Sequence, residues 1–257
     1  MKNNLANLGF NSGRNSAHTA RTIMLDELRT LLAIISNAQT AQSDYRQAIE
    51  DENCLSKRSG KTRTLTFRHL TELYALDPDI ILFRALLFFW ARDPASQPLL
   101  ALLCAYARDT LLRSVVPLVL GLPNGVRLSR EQMEEFIDNL EPGRFSPATL
   151  KSTAQNLNSS LTQSGHLKGR ARKIRDRATA SAASISYALF LGYLTGARGE
   201  FLFRSEYIKL LDCPFDKAIE LAEEASRKGW ITFKRVGDVI EVLFPNLINP
   251  KEMELLQ

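Results

Sequence analysis

Residues 146–177 read SPATLKSTAQNLNSSLTQSGHLKGRARKIRDR, and two patterns meet in them. Ser146-Pro147 is a helix-start signal, a side-chain acceptor followed by a residue whose fixed φ suits the first helical position. Leu150, Ala154, Leu157 and Leu161 follow at spacings of four, three and four. A helix with one apolar stripe is therefore expected, ended by Gly165. Its other faces are polar but hardly charged: Ser152, Thr153, Gln155, Asn156, Asn158, Ser159 and Ser160 lie there, and Lys151 is the sole ion. Behind the glycine comes a basic run in which Leu167 and Ile174 are placed as the two arms of a short hairpin.

Working outward, Ser129-Arg130-Glu131-Gln132 has the form of a capping box, which opens an acidic helix that runs to Leu140 and ends at Glu141-Pro142-Gly143. Helix, turn, polar helix and basic ribbon is the element order of a winged helix-turn-helix. The C-terminal third repeats that order with other chemistry. Helices are expected at 182–194, 205–211 and 214–228, then strands at 231–236 and 239–244 joined by Gly237-Asp238 as a type II′ turn. The helix at 214–228 carries Asp216, Glu220, Glu223 and Glu224, which would repel phosphates, so this module reads as structural or protein-contacting.

Helical periodicity also rules the N-terminal half. Ile23, Met24, Leu28, Leu31, Leu32 and Ile35 form one stripe of a helix at 19–36, and Asp77-Pro78 starts an apolar helix at 79–91. Ser96 and Asp109 are candidate caps for two more, and Pro117 with the 121–125 run stops the pattern. The expected fold is mainly α: an all-helical domain over 1–125, a basic winged helix-turn-helix-like segment over 126–180, and a C-terminal winged-helix-like module over 181–257 ending in a small β-hairpin.

The chain has 257 residues, 45% hydrophobic and 24% charged, which excludes wholesale disorder. Its three cysteines, Cys54, Cys104 and Cys213, form no Cys-x-x-Cys pair, so neither a disulfide framework nor a zinc knuckle is encoded and a cytoplasmic setting is expected. Residues 1–14 lack the apolar run of a secretion signal. The apolar stretches 80–91 and 98–122 fail as membrane spans. The first is about half the ~20 residues required, and the second carries Arg108, Asp109 and Arg113.

The formal charge of +5 is unevenly spread. Residues 144–177 hold eight basic residues and one acidic one, Asp176; a second basic run, Lys57, Arg58, Lys61, Arg63 and Arg68, has no acid between Asn53 and Thr71. Such segregation suits a polyanion, because each phosphate neutralised releases condensed counterions. Duplex DNA is favoured over RNA, since its major groove admits a helix. The expected contacts are Lys151, Gln155, Asn156 and Ser159 from the polar helix, His166, Lys168, Arg170, Arg172, Lys173, Arg175 and Arg177 from the ribbon, and Arg58, Lys61, Arg63 and Arg68 on a neighbouring stretch.

Catalytic signatures fail one by one. Ser59-Gly60-Lys61-Thr62 imitates a phosphate loop, yet the first glycine of that motif would fall at Leu55. His18, His69 and His166 are too scattered in sequence for a metal motif and read as surface or capping residues. Glu206 and Lys209 lie at ordinary helical salt-bridge spacing. No enzyme, cofactor or metal is expected.

Several stretches together resemble the BrxA family of BREX phage-defence systems: Gly143-Arg-Phe-Ser-Pro-Ala-Thr-Leu150, Asn156-Leu-Asn-Ser-Ser160 with Ser164-Gly-His-Leu167, Tyr187-Ala-Leu-Phe-Leu-Gly-Tyr193 with Gly199-Glu200, and the hairpin closing at Phe244-Pro245. The resemblance covers most of residues 75–247. It implies a non-enzymatic, mainly helical component that binds double-stranded DNA with little sequence preference, in a bacterial system that restricts phage while methylating host DNA. Other BREX proteins are implied partners, and a likeness of the family's N-terminal half to an RNA-binding antitermination factor keeps RNA among them. Two competing readings are a sequence-specific transcriptional regulator and an assembly adaptor whose basic surfaces meet acidic proteins.

Overall fold

The computed structural model describes residues 2–11, 13–35, 40–248 and 252. Ser36, the expected end of the first long helix, lies outside them, as do Met1, Ser12 and nearly all of the chain beyond 248. Helix α1 (Lys2–Asn7) is followed by a 3-10 turn (Ala17–Thr19), then α2 (Leu25–Ile34), α3 (Gln42–Glu50), α4 (Gly60–Tyr74), α5 (Ile81–Trp90), α6 (Gln97–Arg108) and α7 (Thr110–Leu120). The middle of the chain forms β1 (Arg127–Leu128), α8 (Arg130–Leu140), α9 (Pro147–Gln163), β2 (Leu167–Lys168) and β3 (Lys173–Arg175). Then come α10 (Ala182–Leu194), a 3-10 segment (Gly199–Arg204), α11 (Glu206–Lys209), α12 (Phe215–Arg227), β4 (Thr232–Val236) and β5 (Val239–Leu243).

The chain is mainly helical with two small antiparallel sheets. Its centre is made by α6 and α10, whose sequences are apolar on every side, as suits helices enclosed by protein. Every residue from Leu99 to Ala107 is buried, and α10 is buried along nearly its whole length against α5, α6, α11 and α12. The polar groups carried inward are bonded: Tyr187 donates to Leu82 O at 3.1 Å and Ser186 to Ala182 O at 2.7 Å. One continuous apolar core takes in residues from all three stretches of the chain. Among the described residues no helix is long and apolar enough to cross a membrane. Asp109, which caps α7 by accepting from Leu111 N and Leu112 N, divides the longer apolar stretch into two helices.

Most helix-start signals act as expected. Ser146 and Ser129 cap α9 and α8, and Gln132 completes the capping box by accepting from Ser129 N at 2.8 Å. The departures have local causes. The helix expected at 19–36 begins only at Leu25, because Met24 takes a left-handed φ of 51°. Ile23 and Met24 are buried nonetheless, outside the helix. Asp77 forms an Asx turn, accepting from Asp79 N at 3.0 Å, and the helix starts after Ile80 instead of at Asp79. Pro117 sits inside α7 instead of ending it; the buried Val115, Val116 and Val119 hold that helix to Leu120 despite the missing donor. The helix expected at 205–211 is the four-residue α11, preceded by 3-10 turns.

The hairpin β4–β5 pairs Val236 with Val239 across Gly237-Asp238, and Gly237 has the positive φ, 58°, that the turn demands. The middle sheet is less expected. β3 lies between β1 and β2, both antiparallel to it, so the basic hairpin gains a third strand from the residues just before α8.

Candidate nucleic-acid interface

The register of the middle sheet sorts its side chains. Arg127, Ile174 and Lys168 stand opposite one another on one face, while Leu128, Lys173, Leu167 and Arg175 share the other. Leu128, Leu167 and Arg175 are buried and Arg127 and Lys168 exposed, so the first face is the outer one. Residues 168–172 are exposed without interruption and form the ribbon tip. The tip is tight. Gly169 has φ +93°, and a Cβ there would lie 2.1 Å from Arg172 O, so only glycine fits. Lys173 closes the tip by donating to Gly169 O at 2.9 Å.

Beside the tip, a cleft of about 520 Å³ runs between the ribbon and α9, lined by Arg127, Arg170, Lys173, Gln155, Ser159 and Asn158 among others. Asn158 is buried at its floor, and its Oδ1 has no hydrogen-bond donor among the described residues. Arg130, also at the cleft, is engaged by Glu131 at 2.8 Å and Glu134 at 2.7 Å. Arg127, Arg170, Arg172 and Lys173 have no carboxylate within ion-pair distance among the described residues. Lys151 and Gln155 are exposed on α9, and Ser159 is half-exposed.

The polar composition of α9 has a second destination. Thr153, Asn158 and Ser160 are buried, and the 16–25 segment lies along the helix. Ser160 Oγ accepts from Ile23 N at 3.0 Å, donates to Asn156 O at 2.8 Å and meets His18 Nε2 at 3.0 Å. His18 Nδ1 meets Asp109 Oδ2 at 2.8 Å, and Ser16 donates to the same carboxylate at 2.8 Å. Serine, histidine and aspartate thus stand in the order of a hydrolase triad. All three are shut off, however, with exposures of 0%, 0% and 2% for Ser160, His18 and Asp109, so no substrate reaches the hydroxyl. Burial raises the Asp109 pKa, but His18 and bonds from Leu112 N and Ser16 outweigh it and hold the carboxyl at about 2. The group fastens α9 to the start of the chain.

Four expected contacts are therefore corrected. His166 is fully buried, meeting Leu210 O at 2.8 Å and Ser164 Oγ at 2.9 Å, and burial pushes its pKa down to about 4. Arg175 is 3% exposed and paired with Asp212 at 2.7 Å, so the strand alternation turns this guanidinium inward. Asn156 donates to His18 O at 3.0 Å. Arg63 donates to Glu50 O at 2.6 Å, satisfying a carbonyl at the end of α3. Arg68, by contrast, stays exposed on α4, 3.6 Å from Glu72. The other histidines are not on the surface either: His69 is buried and meets Glu72 at 3.1 Å.

The remaining expected residues do not all converge. Lys168 is exposed but paired with Asp176 at 3.2 Å. Arg177 lines a different cleft, with Glu206, Lys209 and Asp212. Arg58 and Lys61 are exposed at the start of α4, where Ser59 caps the helix, and share no cleft with the ribbon among the described pockets. Lys57 of the same run pairs with Glu27 at 3.0 Å. Arg127 belongs to the site and was not anticipated; its signal is the alternation Val126-Arg127-Leu128 between a glycine and a helix cap.

Compared with models of known protein families and with curated proteins, the chain has no match. Among the described residues there is no group of three or more histidine, cysteine or carboxylate side chains placed to hold a metal ion. What the ribbon and cleft offer is a set of uncompensated cations next to carboxamide and hydroxyl side chains, the chemistry of phosphate oxygens and base edges.

Proposed function

We propose that this protein is a non-enzymatic, double-stranded-DNA-binding component of a BREX-type phage-defence system, gripping duplexes with little sequence preference. The observation that carries the reading is the grouping of Arg127, Arg170, Arg172 and Lys173, none with a carboxylate partner among the described residues, around one ribbon beside the exposed edge of α9. The strand order β1-β3-β2 around α8 and α9 supports reading this region as a winged helix-turn-helix with the ribbon as its wing.

Four engaged phosphates give a log-log salt slope of about −4, set by roughly 0.9 counterions released per contact. The combined variant Arg127→Glu, Arg170→Glu and Arg172→Glu, all on exposed positions, is expected to abolish duplex binding at moderate salt while leaving thermal stability intact. An unchanged fluorescence-anisotropy titration would reject the reading.

A second reading, an assembly adaptor, is favoured by one feature. The outer face of β4–β5 exposes Val236, Val239 and Leu243, at 79%, 73% and 45%. Under that reading Val236→Ser with Val239→Ser abolishes co-purification with other defence proteins, and duplex affinity at physiological salt is negligible.

A further inference from the structure

We infer that the ribbon tip enters the minor groove of duplex DNA and that α9 does not enter the major groove; this rests on the DNA-binding reading above and adds the mode of contact to it. A helix that reads the major groove needs one long face free. α9 does not have one. α8 packs against it, and the 16–25 segment is bonded along it at Asn156, Ser160 and Gln163, the last accepting from Leu25 N at 3.4 Å. What α9 leaves fully exposed is a narrow strip at its beginning, through Lys151 to Gln155.

The tip has the opposite character. From Lys168 to Arg172 it stands free, and its two guanidiniums, without carboxylate partners among the described residues, flank Ala171, whose methyl adds almost no width. The Gly169 turn, in which a Cβ would strike Arg172 O, keeps the loop narrow. A minor groove of about 6 Å excludes a helix but accepts extended arginines, and narrow A·T tracts strengthen the negative potential that draws them in. Arg127, on the outer face of the sheet and without a carboxylate partner among the described residues, then lies toward the flanking phosphates. The consequence is a preference for groove shape instead of an operator.

The test measures anisotropy at one salt concentration with duplexes of equal length: an A·T tract, a G·C tract, an inosine·cytosine tract and an RNA duplex. Inosine·cytosine presents the minor groove of A·T and a major groove close to that of G·C, so it separates the two modes. A·T and inosine·cytosine are expected to bind at least about threefold more tightly than G·C, and the wide, shallow groove of RNA to bind weakly. Netropsin is expected to displace the protein. Arg170→Lys with Arg172→Lys should keep binding to G·C and erase the A·T preference. If inosine·cytosine follows G·C, if netropsin leaves binding unchanged, or if RNA binds equally well, the minor-groove mode is overturned while DNA binding stands. If no duplex binds, the DNA reading falls and this inference with it.

Discussion

His166 is enclosed as a neutral imidazole between Ser164 and Leu210 O, with its pKa held at about 4 chiefly by burial, and the unfolded chain takes up a proton there near 6.5. Its contribution to stability is therefore complete above about pH 6.5 and is lost as pH falls through 4, on the order of 3 kcal/mol in all. The urea midpoint of the wild-type chain should drop between pH 7 and 4.5, and that of His166→Gln should drop less; equal drops would remove His166 from the account. Arg175 makes a complementary case. Its bond to Asp212 is shielded from water at the arginine end, so Arg175→Leu should cost about 3 kcal/mol of stability and leave the duplex affinity of the folded molecule unchanged. A loss of affinity without a loss of stability would return Arg175 to the proposed DNA-binding surface. Neither burial is visible in the sequence, where both residues sit in a run of basic and polar neighbours; their partners lie more than thirty positions further on.

Elements that speak through local chemistry are legible in the sequence. α9 runs over 147–163 as its cap, proline, apolar spacing and terminal glycine require, and the capping box of α8 and the Gly237-Asp238 turn behave likewise. β1 is only two residues long, too short for any periodicity, and exists because β3 offers it an edge. The polar faces of α9 show the deeper limit. Asparagine and serine look the same in sequence whether they meet a phosphate or a backbone amide from residue 23. At this scale the ribbon tip yields a prediction. Gly169→Ala combines a strained φ with an overlap against Arg172 O, so the tip must rearrange. Because the tip is exposed, the melting temperature should move little while duplex affinity falls; a variant that binds normally would show that tip geometry is irrelevant.

Across the whole molecule, the segment 126–180 is stitched to both of its neighbours. Ser160 and Asn156 are bonded to Ile23, His18 and, through His18, Asp109; His166 and Arg175 are bonded to Leu210 and Asp212. Excised as a fragment, residues 126–180 would leave these groups unpaired and the stripe of Leu157 and Leu161 uncovered. Such a fragment should give a far-ultraviolet circular dichroism spectrum of largely unfolded chain, whereas native-like helicity would mark it as autonomous. The apolar core is shared among the three expected stretches, 1–125, 126–180 and 181–257.

The bonds of the ribbon base to Leu210 and Asp212 also impose an order of events during synthesis. When residues 165–177 leave the ribosome, the N-terminal partners of α9 have already emerged, but those of His166 and Arg175 are still unmade. The basic ribbon therefore sets late, after the C-terminal third has been translated, and a chain interrupted before residue 212 carries its basic segment without the scaffold that shapes it.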